Sequence, residues 1–362
     1  MSWQKFLKNK EMIIDAIDVS LEKIALTKPY SISYKTTSSI KNLVVKIVLN
    51  NGVYGLGAAS VSKHVVGIDT EDSYKNTFAY KGGLVGKNIS SFFQITDLIE
   101  KELSKDPGSR AAFNIALHDA FCKSSNISLS KFLGTKIAPL PTSVTVGIKG
   151  VKETLAEIEE YCDAGFKHIK IKLGQQIDQD IERILKTQEK FKNSVVVRID
   201  ANQGWSFDDT LRFFNSVDNI ELIEQPLKVA NSNEYLGFPK ELKKIIALDE
   251  SIVTPEDAVR FSLQDYAGIF NIKLMKCGGI SAARKIASTA LAKGIDLMWG
   301  CNDESIISIS AALNTALAYP NTKYLDLDGS LDLAKDIVKG GFIIKKGVMS
   351  PVSAPGLGVT LI

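Results

Sequence analysis

Two lysines and three acids recur along one half of the chain at nearly constant intervals. Lys172, Asp200, Glu224, Asp249 and Lys273 stand 28, 24, 25 and 24 residues apart. The acids close the apolar runs Val195 to Asp200, Ile220 to Glu224 and Lys244 to Asp249, and Lys273 closes the run from Gly268. An isolated acid at a strand end ordinarily caps the next helix. Three in the same phase crowd a small volume and repel one another unless a cation lies between them. Oxygen ligands that leave positions open for water and substrate suit Mg2+, so Asp200, Glu224 and Asp249 read as its ligands. Lys172 and Lys273 flank them. Burial, the neighbouring Lys170 and a divalent cation all disfavour an ammonium charge, so these lysines are expected to have lowered pKa values and to act as bases. The chemistry implied is proton abstraction beside a carboxylate. One lysine removes the α-proton, the metal stabilises the enediolate, and the other lysine returns a proton from the opposite face, inverting a stereocentre.

The elements that must position these groups are legible around Lys172. From Gly165 to Gly174 the sequence alternates between apolar and basic residues, as a β-strand does. Ile169, Ile171 and Leu173 face one way and His168, Lys170 and Lys172 the other. The 24–28-residue step fits one strand, one helix and two short loops. Repeated parallel units of that kind make an α/β fold whose strand ends open onto one rim. Val144 to Ile148 is the expected first strand, Ile295 to Trp299 the seventh and Lys323 to Asp328 the eighth.

Before this pattern lie expected antiparallel strands at residues 12–25 and 43–49. An Asn50-Asn51-Gly52 hairpin leads into a third at Val53 to Gly57, and helices are expected from about Ser73 to Leu133. Gly134 and Pro139-Leu140-Pro141 break the chain. The expected organisation is a capping domain over residues 1–138, a barrel over 139–330, and a glycine-rich tail, 331–362, returning to the first domain.

The 362 residues carry 44 basic and 41 acidic side chains. That balance leaves no electrostatic footprint for nucleic acid or membrane. Residues 1–11 lack the apolar core of a secretory signal, so a cytoplasmic enzyme is expected. Cys122, Cys162, Cys277 and Cys301 form no CxxC pair, which argues against a zinc site or a disulfide framework.

Taken together, Lys170-Ile-Lys172, Asp200-Ala-Asn202, Glu224-Gln-Pro226, Asp249-Glu-Ser251 and Asn271-Ile-Lys273-Leu-Met-Lys276-Cys-Gly-Gly279 resemble the enolase superfamily, muconate-lactonising subgroup. The resemblance covers nearly the whole chain. It implies a TIM-type (β/α)7β barrel under an α+β capping domain, with Mg2+ on Asp200, Glu224 and Asp249 and acid/base catalysis by Lys172 and Lys273. Lys170 would tune Lys172 or contact the substrate carboxylate. The mandelate-racemase branch uses a histidine on a late strand, but His168 is the last of three histidines here.

Within the subgroup, Asp326 and Asp328 share a strand face and can hold an ammonium group. They resemble the Asp-x-Asp element with which dipeptide epimerases bind a free α-amino group. Gly300-Cys301-Asn302-Asp303-Glu304-Ser305 resembles the Gly-Cys-Met-x-Glu-Ser rim loop of the same enzymes. Asn202, Cys301, Glu304, Tyr34 and Lys35 join the expected substrate-binding set by the family resemblance. Three departures are visible. Ala58-Ala59 stands where Glu-Ala is frequent, Asn302-Asp303 adds an acid to the rim, and Tyr34-Lys35 falls in the expected mobile loop (28–39) where an arginine for a substrate carboxylate is common. The activity implied is Mg2+-dependent epimerisation of the C-terminal residue of an L-Xaa-Xaa dipeptide, L-Ala-D/L-Glu or another. A cycloisomerase or o-succinylbenzoate synthase is the alternative, and a homo-oligomer is the expected assembly.

Overall fold

The computed structural model describes residues 12–32 and 35–362. The chain opens with an antiparallel sheet of β1 (Ile14–Ile32), β2 (Lys35–Leu49) and β3 (Tyr54–Ala59). The expected hairpin joins β2 to β3, with the Gly52 amide donating to the Leu49 carbonyl at 2.9 Å. The first two strands run well beyond their expected limits, paired from Ile14 and Leu49 out to Ile32 and Lys35. Much of the stretch expected as a loop is therefore the far end of a hairpin, in keeping with its Tyr, Ile and Thr content. The register shifts between Ile14 and Ala16 and again between Ala25 and Tyr30, where Pro29 has no amide to donate. Tyr34 and the side chain of Lys35 lie outside the described residues.

The helices Thr70–Tyr80 and Pro107–Ser124 pack on this sheet, and the longer, Pro107–Ser124, sits between it and the barrel. Its start is set by Asp106, whose carboxylate accepts the Ser109 amide at 2.9 Å, and by Pro107 in the first turn. Gly55 and Gly57 of β3 let the helix backbone touch the strand. A Cβ at either would strike the carbonyl oxygen of Ala116 or Ala112.

Short β4 (Leu140–Pro141) leads into eight parallel strands ordered as in the chain. These are β5 (Ser143–Val146), β6 (His168–Lys172), β7 (Val196–Asp200), β8 (Ile220–Glu224), β9 (Ile246–Leu248), β10 (Ile269–Ile272), β11 (Asp296–Gly300) and β12 (Thr322–Asp326). A bridge between Thr142 and Leu325 links the last strand to the start of the first, and the Leu327 amide donates to Thr142 Oγ1 at 2.8 Å. The result is a nearly closed TIM-type barrel whose eighth strand ends without a helix of its own. Leu222, Ala247, Ile269 and Met298 fill its floor. Arg198 crosses that floor to Glu221 and Ser143, its guanidinium stacked on Tyr324.

Beyond β12 the chain runs back along β1, with Leu333 bridged to Leu26. It then forms β13 (Val338–Gly340), β14 (Phe342–Lys345), β15 (Val348–Pro351) and β16 (Val359–Leu361), and β15 pairs with both β14 and β4. Among the described residues no helix is long and apolar enough to cross a membrane.

Candidate active site

Strand register fixes the site. Lys172 pairs with Asp200, Asp200 pairs with Glu224, and Glu224 pairs with Ala247, two residues before Asp249. Lys273 follows the last residue of β10. The two lysines thus leave strands four apart in a ring of eight, on opposite sides of the barrel mouth, with the three acids between them on one flank. They contribute to, or lie just beneath, a cavity of about 810 Å³ under the first domain.

The polar groups form two sets of ion pairs, one around Lys170 and one around Asp249. Lys172 Nζ donates to Asp200 Oδ2 at 2.8 Å and to Asn202 Oδ1 at 2.9 Å. Asn202 itself sits at φ 44°, in the left-handed region. Its amide binds Asp200 Oδ1 at 2.9 Å, so the loop folds back onto the strand end. Lys170, buried, spans the barrel to Asp200 Oδ2 (3.1 Å), Glu224 Oε2 (2.7 Å) and Asp326 Oδ2 (2.8 Å). On the far side Lys273 Nζ lies 2.8 Å from Asp249 Oδ2.

This charge pattern also acts on the lysines themselves. Burial acts to lower the pKa of Lys273, but Asp249, Glu224 and Asp200 outweigh it and hold the ammonium above its usual range. Lys170 is raised in the same way by Asp200, Asp326 and Glu224. The lowering expected for these lysines rests on burial, the charge of Lys170 and a divalent cation; the carboxylates at contact distance act in the opposite direction. Burial pushes Glu224 up to about 8, helped by the charges of Asp200 and Asp249.

Asp200, Glu224 and Asp249 are hard oxygen donors at adjoining strand ends. Burial and mutual repulsion leave this set short of positive charge at Glu224, so its chemistry fits a divalent cation. In the arrangement described, lysine ammonium groups stand among the carboxylates, and no three metal-ligating side chains among the described residues meet at coordination geometry.

Three supporting residues went unread in the sequence. Gln225, at φ 36° and fully buried, accepts the Asp249 and Ser251 amides at 2.9 and 3.2 Å and donates to Ser251 Oγ at 2.9 Å, locking the ends of β8 and β9 together. Lys276 appeared only as part of a motif; it donates to the Asn271 carbonyl at 3.0 Å and to the Asp249 carboxylate. Asn271 Nδ2 holds Glu224 Oε1 at 2.9 Å.

On β12, Asp326 is taken up by Lys170 and by the Ser143 hydroxyl at 2.6 Å. Asp328 follows, buried in the cavity wall, its carboxyl pushed up to about 8 by burial and by the nearby charges of Asp326 and Asp332. The Cys301 thiol donates to the Asp326 carbonyl at 3.2 Å and accepts the Gly329 amide at 3.3 Å. Glu304 accepts the Asn302 amide at 3.1 Å, and burial pushes it up to about 7. The structure therefore gathers Lys170, Lys172, Asn202, Cys301, Asp326, Asp328 and Lys273 around one cavity, with Glu304 behind its rim loop. Asp303 lines the same cavity. In all, its described wall carries ten carboxylates against six lysines.

Both halves of the chain match family models. Residues 15–134 match the mandelate racemase/muconate lactonizing enzyme N-terminal domain, and residues 153–362 match the enolase C-terminal domain-like model. The chain belongs to the enolase superfamily. Within it, the chain groups with the dipeptide epimerases, enzymes of the isomerase class. It is 44% identical to an L-Lys-D/L-Arg epimerase of Desulforapulum autotrophicum, over 96% of this chain and 99% of that one. It is 32% identical to an L-Ala-D/L-Glu epimerase of Clostridium acetobutylicum over the same shares. Among solved structures, the dipeptide epimerase of Methylococcus capsulatus complexed with Mg and L-Arg-D-Lys superposes with a TM-score of 0.94, at 43% identity, covering 96% of this chain and 99% of that one.

Proposed function

We propose that the protein epimerises dipeptides with cationic side chains, inverting the α-carbon of the C-terminal residue by proton transfer between Lys172 and Lys273. The observation that carries the substrate class is the excess of carboxylates in the cavity wall. It favours Lys and Arg side chains and disfavours the acidic side chain of an L-Ala-D/L-Glu substrate. The cationic dipeptides named for the Desulforapulum relative and bound in the Methylococcus structure support the same choice.

In this reading Asp200, Glu224 and Asp249 hold Mg2+, which supplies electrophilic stabilisation to the substrate carboxylate as negative charge develops on it. The chain's own residues do the rest. One lysine, unprotonated, takes the α-proton on its side, and the other, protonated, delivers one from the opposite side. Asn202 and Asp200 aim Lys172, while Asp249 aims Lys273. The buried carboxylate of Asp328 takes the α-ammonium, since Asp326 already holds Lys170 and Ser143. A cycloisomerase or succinylbenzoate synthase would have no use for that group.

The test is an L,L-dipeptide library incubated with Mg2+ in D2O and read by mass spectrometry for deuterium at the α-carbon. Gain confined to dipeptides carrying Lys or Arg is the expected outcome. Gain only with acidic or apolar dipeptides would overturn the substrate class. No gain with any dipeptide would overturn the epimerase reading in favour of the cycloisomerase.

A further inference from the structure

Ser60, the residue after β3, is gripped from two barrel loops at once. Its carbonyl accepts a hydrogen bond from Asn302 Nδ2 at 2.7 Å, and its amide points at Met275 Sδ, 3.4 Å away. Met275 stands two residues after Lys273. Asn302 belongs to the loop after β11, and its own amide is tied to Glu304 Oε1 at 3.1 Å. On its other side the Asn302 carbonyl presses against Gly329, the residue after Asp328, where a Cβ would collide with that oxygen and meet Cys301 Sγ at 3.0 Å. One residue, through its side chain and its backbone carbonyl, thus connects the first domain to the segment that carries Asp326 and Asp328.

Beyond Ser60 the chain enters residues 61–71, which form the first domain's wall of the cavity through Val61, His64, Thr70 and Glu71. That segment is stitched to itself by the Val61 amide on Thr70 Oγ1 at 3.1 Å. Its entry point is Ser60. The position of this wall at its barrel-facing end therefore depends on where Ser60 is held, and a carboxamide donating to a buried carbonyl is a short, directional tether.

We propose that Asn302 is a positioning residue that sets the 60–71 wall against the barrel rim and thereby selects which dipeptide side chains the cavity admits. It touches no reacting atom. Its kinetic consequence rests on the epimerase reading; its structural consequence does not. Removing the donor frees Ser60 and widens the compartment. Substrate is then held less well, while proton transfer within the bound complex proceeds as before.

The experiment compares wild type with Asn302→Leu and the nearly isosteric Asn302→Asp, whose ionised carboxylate cannot donate. Amide hydrogen exchange is followed by mass spectrometry, alongside turnover of the dipeptide that the library screen selects. Expected in both variants is faster exchange confined to residues 60–71, KM raised roughly fivefold to tenfold, kcat within about twofold, and weaker discrimination among dipeptides. Exchange at 60–71 unchanged in the folded variants would overturn the proposal. So would a fall in kcat at constant KM, which would mark a disturbance of Lys273 instead. If the wild type turns over no dipeptide, the epimerase reading fails and the exchange data alone decide the tether.

Discussion

Lys172 and Asp200 are direct register partners on β6 and β7, and the lysine's Nζ lies 2.8 Å from the aspartate's Oδ2. A lysine on a strand end, paired to an acid on the next strand, has little freedom to turn away from the cavity. Replacing it should therefore remove chemistry with little loss of fold. Lys172→Ala and Lys273→Ala are each expected to lower kcat by about 10²–10⁴. Deuterium incorporation resolved by chiral chromatography should show each variant still exchanging, slowly, with only one epimer. Either variant keeping the wild-type rate in both directions would remove that lysine from the mechanism.

Asp326 and Asp328 should respond differently to the same change. Asp328→Asn removes the proposed partner of the α-ammonium and is expected to raise KM by about 10² or more, at unchanged melting temperature. Asp326→Asn also strips a partner from buried Lys170, and breaking a buried ion pair from one side costs on the order of 3–5 kcal/mol. Calorimetry should therefore separate the two. An Asp328→Asn enzyme with ordinary KM would sink the ammonium assignment.

Metal dependence gives an independent handle. Stripping divalent ions with EDTA is expected to abolish α-proton exchange, and Mg2+ should restore it. A ligand that binds only the folded state stabilises it by about 2.7 kcal/mol at 100 times its Kd, so Mg2+ should also raise the melting temperature of wild type. Glu224→Gln should lose most of that rise. A melting temperature indifferent to Mg2+ would count against Asp200, Glu224 and Asp249 as ligands.

Stability should fall on mild acidification through His118. Burial holds this imidazole down to about 4, only partly opposed by its Nδ1 contact with the Asn114 carbonyl at 2.7 Å. Phe92 and Phe132 pack edge-on against it. With an unfolded value near 6.5, the neutral form favours the fold. The contribution is full above pH 6.5, is lost as pH falls towards 4, and amounts to on the order of 3 kcal/mol. Urea titrations across that window should show the slope in wild type and its loss in His118→Asn. An equal slope in both would assign it to other groups.

The strand parity of Lys170 and Lys172 and the recurring acids were readable because a two-residue period and a strand-plus-helix step are local properties of the chain. Gln225 was not, since its work depends on amides 24 and 26 residues away and on a left-handed backbone that sequence does not announce. The Asn302 tether joins groups 242 residues apart. Asn302 stood out as unusual, with nothing to say what it would touch. The carboxylates that hold the Lys273 ammonium were not legible for a related reason. Local reasoning priced its desolvation and left out the geometry of its neighbours. The extent of the β1–β2 hairpin was underread because its Thr and Ser residues carry no hydrophobic alternation.

The pairing of β15 with β4 has a consequence for how the molecule comes into being. The strand that precedes the barrel's first is hydrogen-bonded to a segment made about 200 residues later. Leu26 near the start likewise waits for Leu333. During synthesis the first sheet and several barrel strands can assemble early, yet the seam between entry and exit stays open until the final stretch leaves the ribosome. A chain cut short after Asp332 would hold every lysine and carboxylate of the cavity wall while lacking the strand that closes this seam.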